Sequence, residues 1–140
     1  MLGPMDYVEI QNVLNLYPHV IDVPENYGRV GEIFAEDGVF YAGELGAHRG
    51  VPAMIEYWSH SPIRKAALEK TNLLAHNVAN IVITEDKDGT VRCQSRCIGV
   101  SRDGVASVAV YNDIMRKTPQ GWRIAERRLT PMTGPVVTLR

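Results

Sequence analysis

Four histidines, His19, His48, His60 and His76, are the side chains here best suited to moving protons near neutral pH. No two of them stand four apart, and no carboxylate array accompanies them at metal-ligand spacing, so no metal is expected. His76 lies in Leu74-Ala75-His76-Asn77-Val78, between apolar neighbours, which turns its ring inward on a strand. His19 reads as a partly exposed surface residue, His48 falls in a loop and His60 at a helix end. Arg96 and one of Arg127 and Arg128 can meet an oxyanion or carboxylate, since consecutive strand residues face opposite sides. Asn112 can add a hydrogen bond. Arg96, Asn112 and Arg128 are taken as candidate substrate contacts, with Arg127 the alternative to Arg128. No glycine-rich phosphate loop precedes a helix, and no Ser or Cys sits in a nucleophile motif. Cofactor-free acid–base chemistry is what remains for an enzyme.

The elements that must hold these groups fall into two halves. From Asp6 to Ile21, apolar residues at Ile10, Val13, Leu14, Tyr17, Val20 and Ile21 have helical spacing, and Asp6 with Glu9 resembles a capping box. Pro18 should kink or end that helix. Asp22 comes next, and can simply terminate it or cap the second helix with Pro24. That second helix is expected from Pro24 to Ala35 and a third from Val51 to His60, with a strand at Val39-Phe40-Tyr41 and a glycine-rich loop from Gly43 to Gly50. Strands are then expected at Asn72 to Thr84, Val91 to Val100, Val105 to Lys117 and Trp122 to Leu129, with turns at Asp88-Gly89, Asp103-Gly104 and Gln120-Gly121. Helices first and hairpin-linked strands after argue for an α+β fold with helices on one face of an antiparallel sheet.

Composition limits the partners. The 140 residues suit one domain spanning 1–140, and a hydrophobic fraction of 45% with 22% charged residues is ordinary for a globular chain. A net charge of -1 supplies no electrostatic reason to expect nucleic acid or an anionic membrane. Apolar runs are as short as Ile81-Val82-Ile83, and Met1 to Met5 has no secretion-signal pattern. Cys93 and Cys97 would project from one strand face about 13 Å apart, too far to bridge. Two reduced thiols and a cytoplasmic location are the expectation.

Four segments resemble the SnoaL-like branch of the NTF2-like superfamily: Asp6 to Tyr17, Ile33-Phe34-Ala35-Glu36-Asp37-Gly38-Val39-Phe40, Arg49-Gly50, and Gly121 to Arg128. The resemblance implies a cone-shaped α+β barrel of the cystatin-like kind around an apolar pocket. Scytalone dehydratase, bile-acid dehydratase and hexachlorocyclohexane dehydrochlorinase belong to that group and use an Asp–His pair, and Asp22 and His76 occupy the matching positions. Tyr17, five residues before Asp22, matches a tyrosine of the bile-acid dehydratase type. On an ideal helix residues five apart are separated by about 140°, so a bend at Pro18 is needed to aim both inward. A neutral histidine held by a carboxylate can remove a proton beside a carbonyl, and a phenol can donate to the oxygen. The ketosteroid isomerase variant wants an acid on the Val39 strand, which is absent, and Glu44 is too far into the loop.

Three functions are compatible with these residues. The first is a cofactor-free lyase of dehydratase type, or a related isomerase or cyclase, acting on a small hydrophobic cyclic substrate through Asp22 and His76. The second is a non-catalytic ligand-binding or assembly module. The third, a hydrolase resembling limonene epoxide hydrolase, needs more pocket carboxylates than can be placed. Apolar residues on both faces of the Val105–Lys117 strand further predict a homo-oligomer, dimer or trimer, because one wet sheet face would not need them. Light scattering at micromolar concentration is expected to give a multiple of 15.6 kDa, and a monomer mass would exclude the assembly.

Overall fold

The computed structural model describes residues 1–133. The chain opens with helix α1 (Pro4–Ile21), which buries Ile10, Val13, Leu14, Tyr17, Val20 and Ile21 along one side. Asp6 is not its N-cap. Gly3 takes that place, because Pro4 suits the first helical position, where no N–H partner is needed. Asp6 instead reaches back from the first turn, and its Oδ2 accepts the Gly3 N–H at 2.8 Å. Its Oδ1 accepts from Lys117 Nζ and from Trp122 Nε1, each at 2.8 Å. The helix continues through Pro18 and closes at Asp22, whose N–H donates to the Pro18 carbonyl at 3.0 Å.

The next stretch, Pro24–Glu32, is a 3-10 helix rather than the α-helix expected to reach Ala35. Gly28 and Gly31 weaken α-helix there, and the sheet claims the chain from Ile33 onward, where the Ile124 N–H donates to the Ile33 carbonyl at 2.8 Å. Strand β1 (Phe34–Tyr41) therefore starts well before Val39. The expected loop contains a 3-10 turn, Gly43–Leu45, and a short strand β2 (Ala47–Arg49) paired to β1. Helix α2 (Val51–His60) agrees with its expected span. A further helix, α3 (Pro62–Thr71), occupies a segment to which the sequence pattern assigned nothing. Ser61 Oγ caps it by accepting the Arg64 N–H at 3.2 Å, and Asn72 ends it in the left-handed conformation, φ 52°.

Strands β3 (Leu73–Glu85), β4 (Val91–Ser101), β5 (Gly104–Thr118) and β6 (Gly121–Pro131) complete a six-stranded sheet in the order β2-β1-β6-β5-β4-β3. Only β1 and β6 run parallel. The sheet is curved and unclosed, a one-sided cone with the helices on its inner face. Trp122 and Ile124 are buried between sheet and helices, as expected. β6 carries one extra residue: Ile114 faces Glu126 while Met115 faces Ile124, which leaves Ala125 as a bulge. Gly38 of β1 lies against it, and a Cβ there would come within 2.9 Å of the Ala35 carbonyl and 3.0 Å of the Ile124 carbonyl. No described helix is long and apolar enough to cross a membrane.

Asp6 ties the start of α1 to β5 and β6. The Lys117 ammonium, the Trp122 N–H and the Gly3 N–H together hold its carboxyl well below the usual aspartate range. A depressed carboxylate contributes stability that is complete above the unfolded value of about 3.9 and fades as pH falls below it. Asp6→Asn is therefore expected to lower the melting temperature at neutral pH, with the gap to wild type narrowing in acid. Melting curves recorded down to about pH 2 test this; a gap independent of pH would contradict it.

Candidate active site

Asp22 stands at the C-terminal end of α1, and His76 on β3 faces the inner side of the sheet, opposite Gly99 of β4. The two meet through a two-point grip. Asp22 Oδ1 is 2.5 Å from His76 Nδ1, and Asp22 Oδ2 accepts the His76 backbone N–H at 2.7 Å. A carboxylate can only accept, so the proton between them belongs on Nδ1. That leaves Nε2 as the basic nitrogen, with a fixed ring. The side chains of His76 and Asp22 keep 17% and 15% of their exposure, which permits contact with a ligand.

Farther along the inner face lie Cys97, Tyr111, Tyr17, Arg127 and Asp113. Val78, the next inward residue of β3, faces Cys97 of β4. Burial pushes the Cys97 thiol up, and the Asp22 charge adds to that. Tyr111 lies beside the Cys97 side chain and packs edge-on against Tyr17, with ring centres 5.5 Å apart. Burial pushes both phenols well above their ordinary values, so they stay protonated. The Arg127 guanidinium packs against both the Tyr17 and Tyr111 rings, its carbon 4.3 and 3.9 Å from the ring centres. Arg127 is wholly buried and grips Asp113 with Nε and Nη2, both at 2.7 Å. Phe34 and Trp58 pack edge-on against Tyr17 at 6.2 and 6.1 Å.

Of the residues singled out from sequence, Asp22 and His76 are brought together. Tyr17 is placed in the aromatic cage around Arg127, and among the described residues no hydrogen bond joins it to the pair. The three candidate substrate contacts lie elsewhere. Arg96, Asn112 and Arg128 all project from the outer face of the sheet, opposite to the face that carries His76. Asn112 accepts from Gln94 at 2.8 Å, and Arg128 bonds Glu126 and covers the Tyr41 ring. Asn112 and Arg128 line an outer groove of about 280 Å³. The physical reason differs for each strand. Apolar residues on both faces of β5 hid which face was inward, and the parity of Tyr111, Asp113 and Met115 decides it. On β6 the Ala125 bulge flips the alternation that Trp122 and Ile124 begin, so Arg127 turns inward in place of Arg128. Cys93 and Cys97 are both free and buried, and burial pushes the Cys93 thiol up to about 12, which makes it inert at neutral pH.

The profile of the SnoaL-like domain matches residues 5–128. The chain belongs to the SnoaL-like family. Solved structures agree on the fold of this SnoaL-like domain. An NTF2-like protein with a cystatin-like fold from Novosphingobium aromaticivorans shares 24% identity, with 94% of this chain and 84% of that one covered and a TM-score of 0.73. A protein of unknown function with a cystatin-like fold from Nostoc punctiforme shares 21%, with 94% and 95% covered and a TM-score of 0.75. A Novosphingobium aromaticivorans protein assigned provisionally as a scytalone dehydratase shares 16%, with 97% and 90% covered and a TM-score of 0.66. No curated protein matches the sequence.

Within this SnoaL-like domain the Arg127–Asp113 pair makes a clear energetic prediction. Removing one partner of a buried ion pair costs about 3–5 kcal/mol, because the other charge is left without solvent or counterion. Arg127→Met is expected to destabilise by that order, while Arg127→Met combined with Asp113→Leu should be milder. Urea denaturation of the three proteins decides it, and a double variant worse than the single one would show that packing rather than charge dominates.

Proposed function

We propose that this SnoaL-like domain is a cofactor-free lyase of the dehydratase type, or a related isomerase, in which Asp22 and His76 form the acid–base pair. The observation that carries the reading is the two-point grip of Asp22 on His76. A carboxylate holding both the ring and the backbone of one histidine fixes its tautomer and orientation, and the ring is left partly open, with Nε2 unbonded among the described residues. In the proposed reaction Nε2 removes the proton from a carbon beside a carbonyl, and the electron pair moves toward that carbonyl. The resulting imidazolium, balanced by Asp22, returns the proton to a departing β-hydroxyl, which leaves as water. Atoms and charge balance with no redox partner. Isomerisation uses the same first step and returns the proton to another carbon.

The substrate class is inferred from the surroundings. Along the chain Asp22 is bracketed by buried Ile21 and exposed Val23, and His76 by exposed Leu74 and by Val78, which faces Cys97. A small hydrophobic ring bearing a ketone and a β-hydroxyl fits that environment. The provisional scytalone dehydratase among the structural neighbours is compatible with such chemistry but, at its level of identity, supports only the fold.

Incubation with a panel of cyclic β-hydroxyketones in heavy water, followed by NMR, reads both deuterium uptake at the α-carbon and elimination. His76→Ala is expected to reduce the rate by roughly 10²–10⁴, the usual contribution of a general base. Asp22→Asn should also cut it heavily, because an amide can hold the wrong tautomer and cannot balance the imidazolium. Ligand affinity should survive both changes. If the wild type binds members of the panel without exchange or elimination, the domain is a binding module and the acid–base reading is wrong.

A further inference from the structure

The row of residues that crosses the inner face at His76 holds one more polar side chain. His76 of β3 faces Gly99 of β4, and Gly99 in turn faces Ser107 of β5. Facing residues of antiparallel neighbours project to the same side of a sheet, so Ser107 shares the inner face with His76. Their strands lie two apart, which roots the two side chains about 9–10 Å from each other. Between them Gly99 contributes no side chain.

The space above Gly99 is put to use. A Cβ there would come within 2.4 Å of Ser107 Oγ and 2.8 Å of Leu73 Cδ1. The serine hydroxyl therefore leans across β4 toward the strand of His76, and Leu73 of that strand brings a methyl group to the same spot. The Gly99 backbone is not left-handed, so the close approach of these two side chains, not its φ, calls for glycine. Ser107 is exposed, and among the described residues its hydroxyl has no hydrogen-bond partner.

The reaction proposed above leaves one need that this hydroxyl meets. When Nε2 takes the proton, negative charge moves onto the carbonyl oxygen, and a donor aimed at that oxygen lowers the barrier. Asp22 can only accept, and the imidazole is occupied with the proton, so the pair itself offers no such donor. Tyr17 is held in the cage around Arg127. A serine O–H donates one hydrogen bond. Base and donor on strands two apart leave room between them for a ketone, its α-carbon toward His76 and its oxygen toward Ser107.

We propose that Ser107, carried across Gly99, is a substrate-binding residue that donates to the carbonyl oxygen, and that Gly99 is what admits it to the row. The inference rests on Asp22 and His76 being the ligand site. It narrows the ligand to a ring whose ketone oxygen accepts at Ser107 while its α-carbon meets Nε2. Ser107 keeps its proton throughout, and no bond to it forms or breaks.

The test reads that hydrogen bond directly. A carbonyl carbon whose oxygen accepts a hydrogen bond resonates downfield, and cyclohexanone labelled with carbon-13 at its carbonyl is a probe that cannot lose water. Wild-type protein should move the carbonyl signal downfield. Ser107→Ala should abolish the shift, bind the probe roughly two- to tenfold more weakly, as one neutral hydrogen bond is worth, and melt like wild type. Gly99→Ala keeps the hydroxyl but forces Ser107 and Leu73 into other rotamers, so the shift should vanish there too. A carbonyl signal that wild type leaves unmoved, or a shift retained in either variant, would overturn the assignment. A Ser107-dependent shift without exchange or elimination on the hydroxyketone panel would sink the acid–base reading and leave the Ser107 contact standing. Exchange on the panel with a shift independent of Ser107 would do the reverse.

Discussion

A guanidinium buried away from water has to be surrounded, and the interior of this protein is arranged around Arg127. Asp113 neutralises it through two short hydrogen bonds, and the Tyr17 and Tyr111 rings, edge-on to each other, both pack against it. Those four residues come from α1, β5 and β6, so satisfying one charge fixes how the first helix lies on the sheet. In a desolvated setting each such ring contact is worth about 2 kcal/mol, and the pair itself is costly to break. The Ala125 bulge is what turns Arg127 inward, and Gly38 is the residue whose missing side chain lets β1 lie against that bulge. Packing, charge and register at this point support one another.

The same cage separates two kinds of polar group on the inner face. Arg127 and Asp113 are sealed, so they serve structure and set the local field. Asp22 and His76 lie outside it, with the Asp22 charge felt at Cys97, and their side chains stay partly exposed. Tyr17 is committed to the sealed part. Its phenol ring is flanked by a guanidinium and three aromatic side chains.

Membership of the SnoaL-like family and the shared cystatin-like fold account for the architecture, and such folds carry many chemistries. What distinguishes members is the equipment at the open end. Here that equipment is a histidine held at two points by one carboxylate. It is not a property of the sheet alone. It depends on where α1 ends and where β3 begins.

Much of the architecture was legible in the residues alone. Helical spacing in α1, the α2 span, the hairpin turns and the alternation in β4 to β6 required only local periodicities, and the pairing of Asp22 with His76 was suggested by family resemblance. Helix α3 left signals too, in Ser61-Pro62 at its start and the helix formers Lys65, Ala66, Leu68, Glu69 and Lys70. Tertiary structure decided the faces. Arg96 and Asn112 lie on the outer side with Gln94 and Val110, a choice of face that the two apolar faces of β5 left open, and Arg128 joins them because β6 bulges at Ala125. Asp6 likewise became a tie to Trp122 and Lys117 only once β5 and β6 were brought beside α1. Local sequence sets which residues alternate; which side is inside depends on register, and register depends on partners distant in the chain.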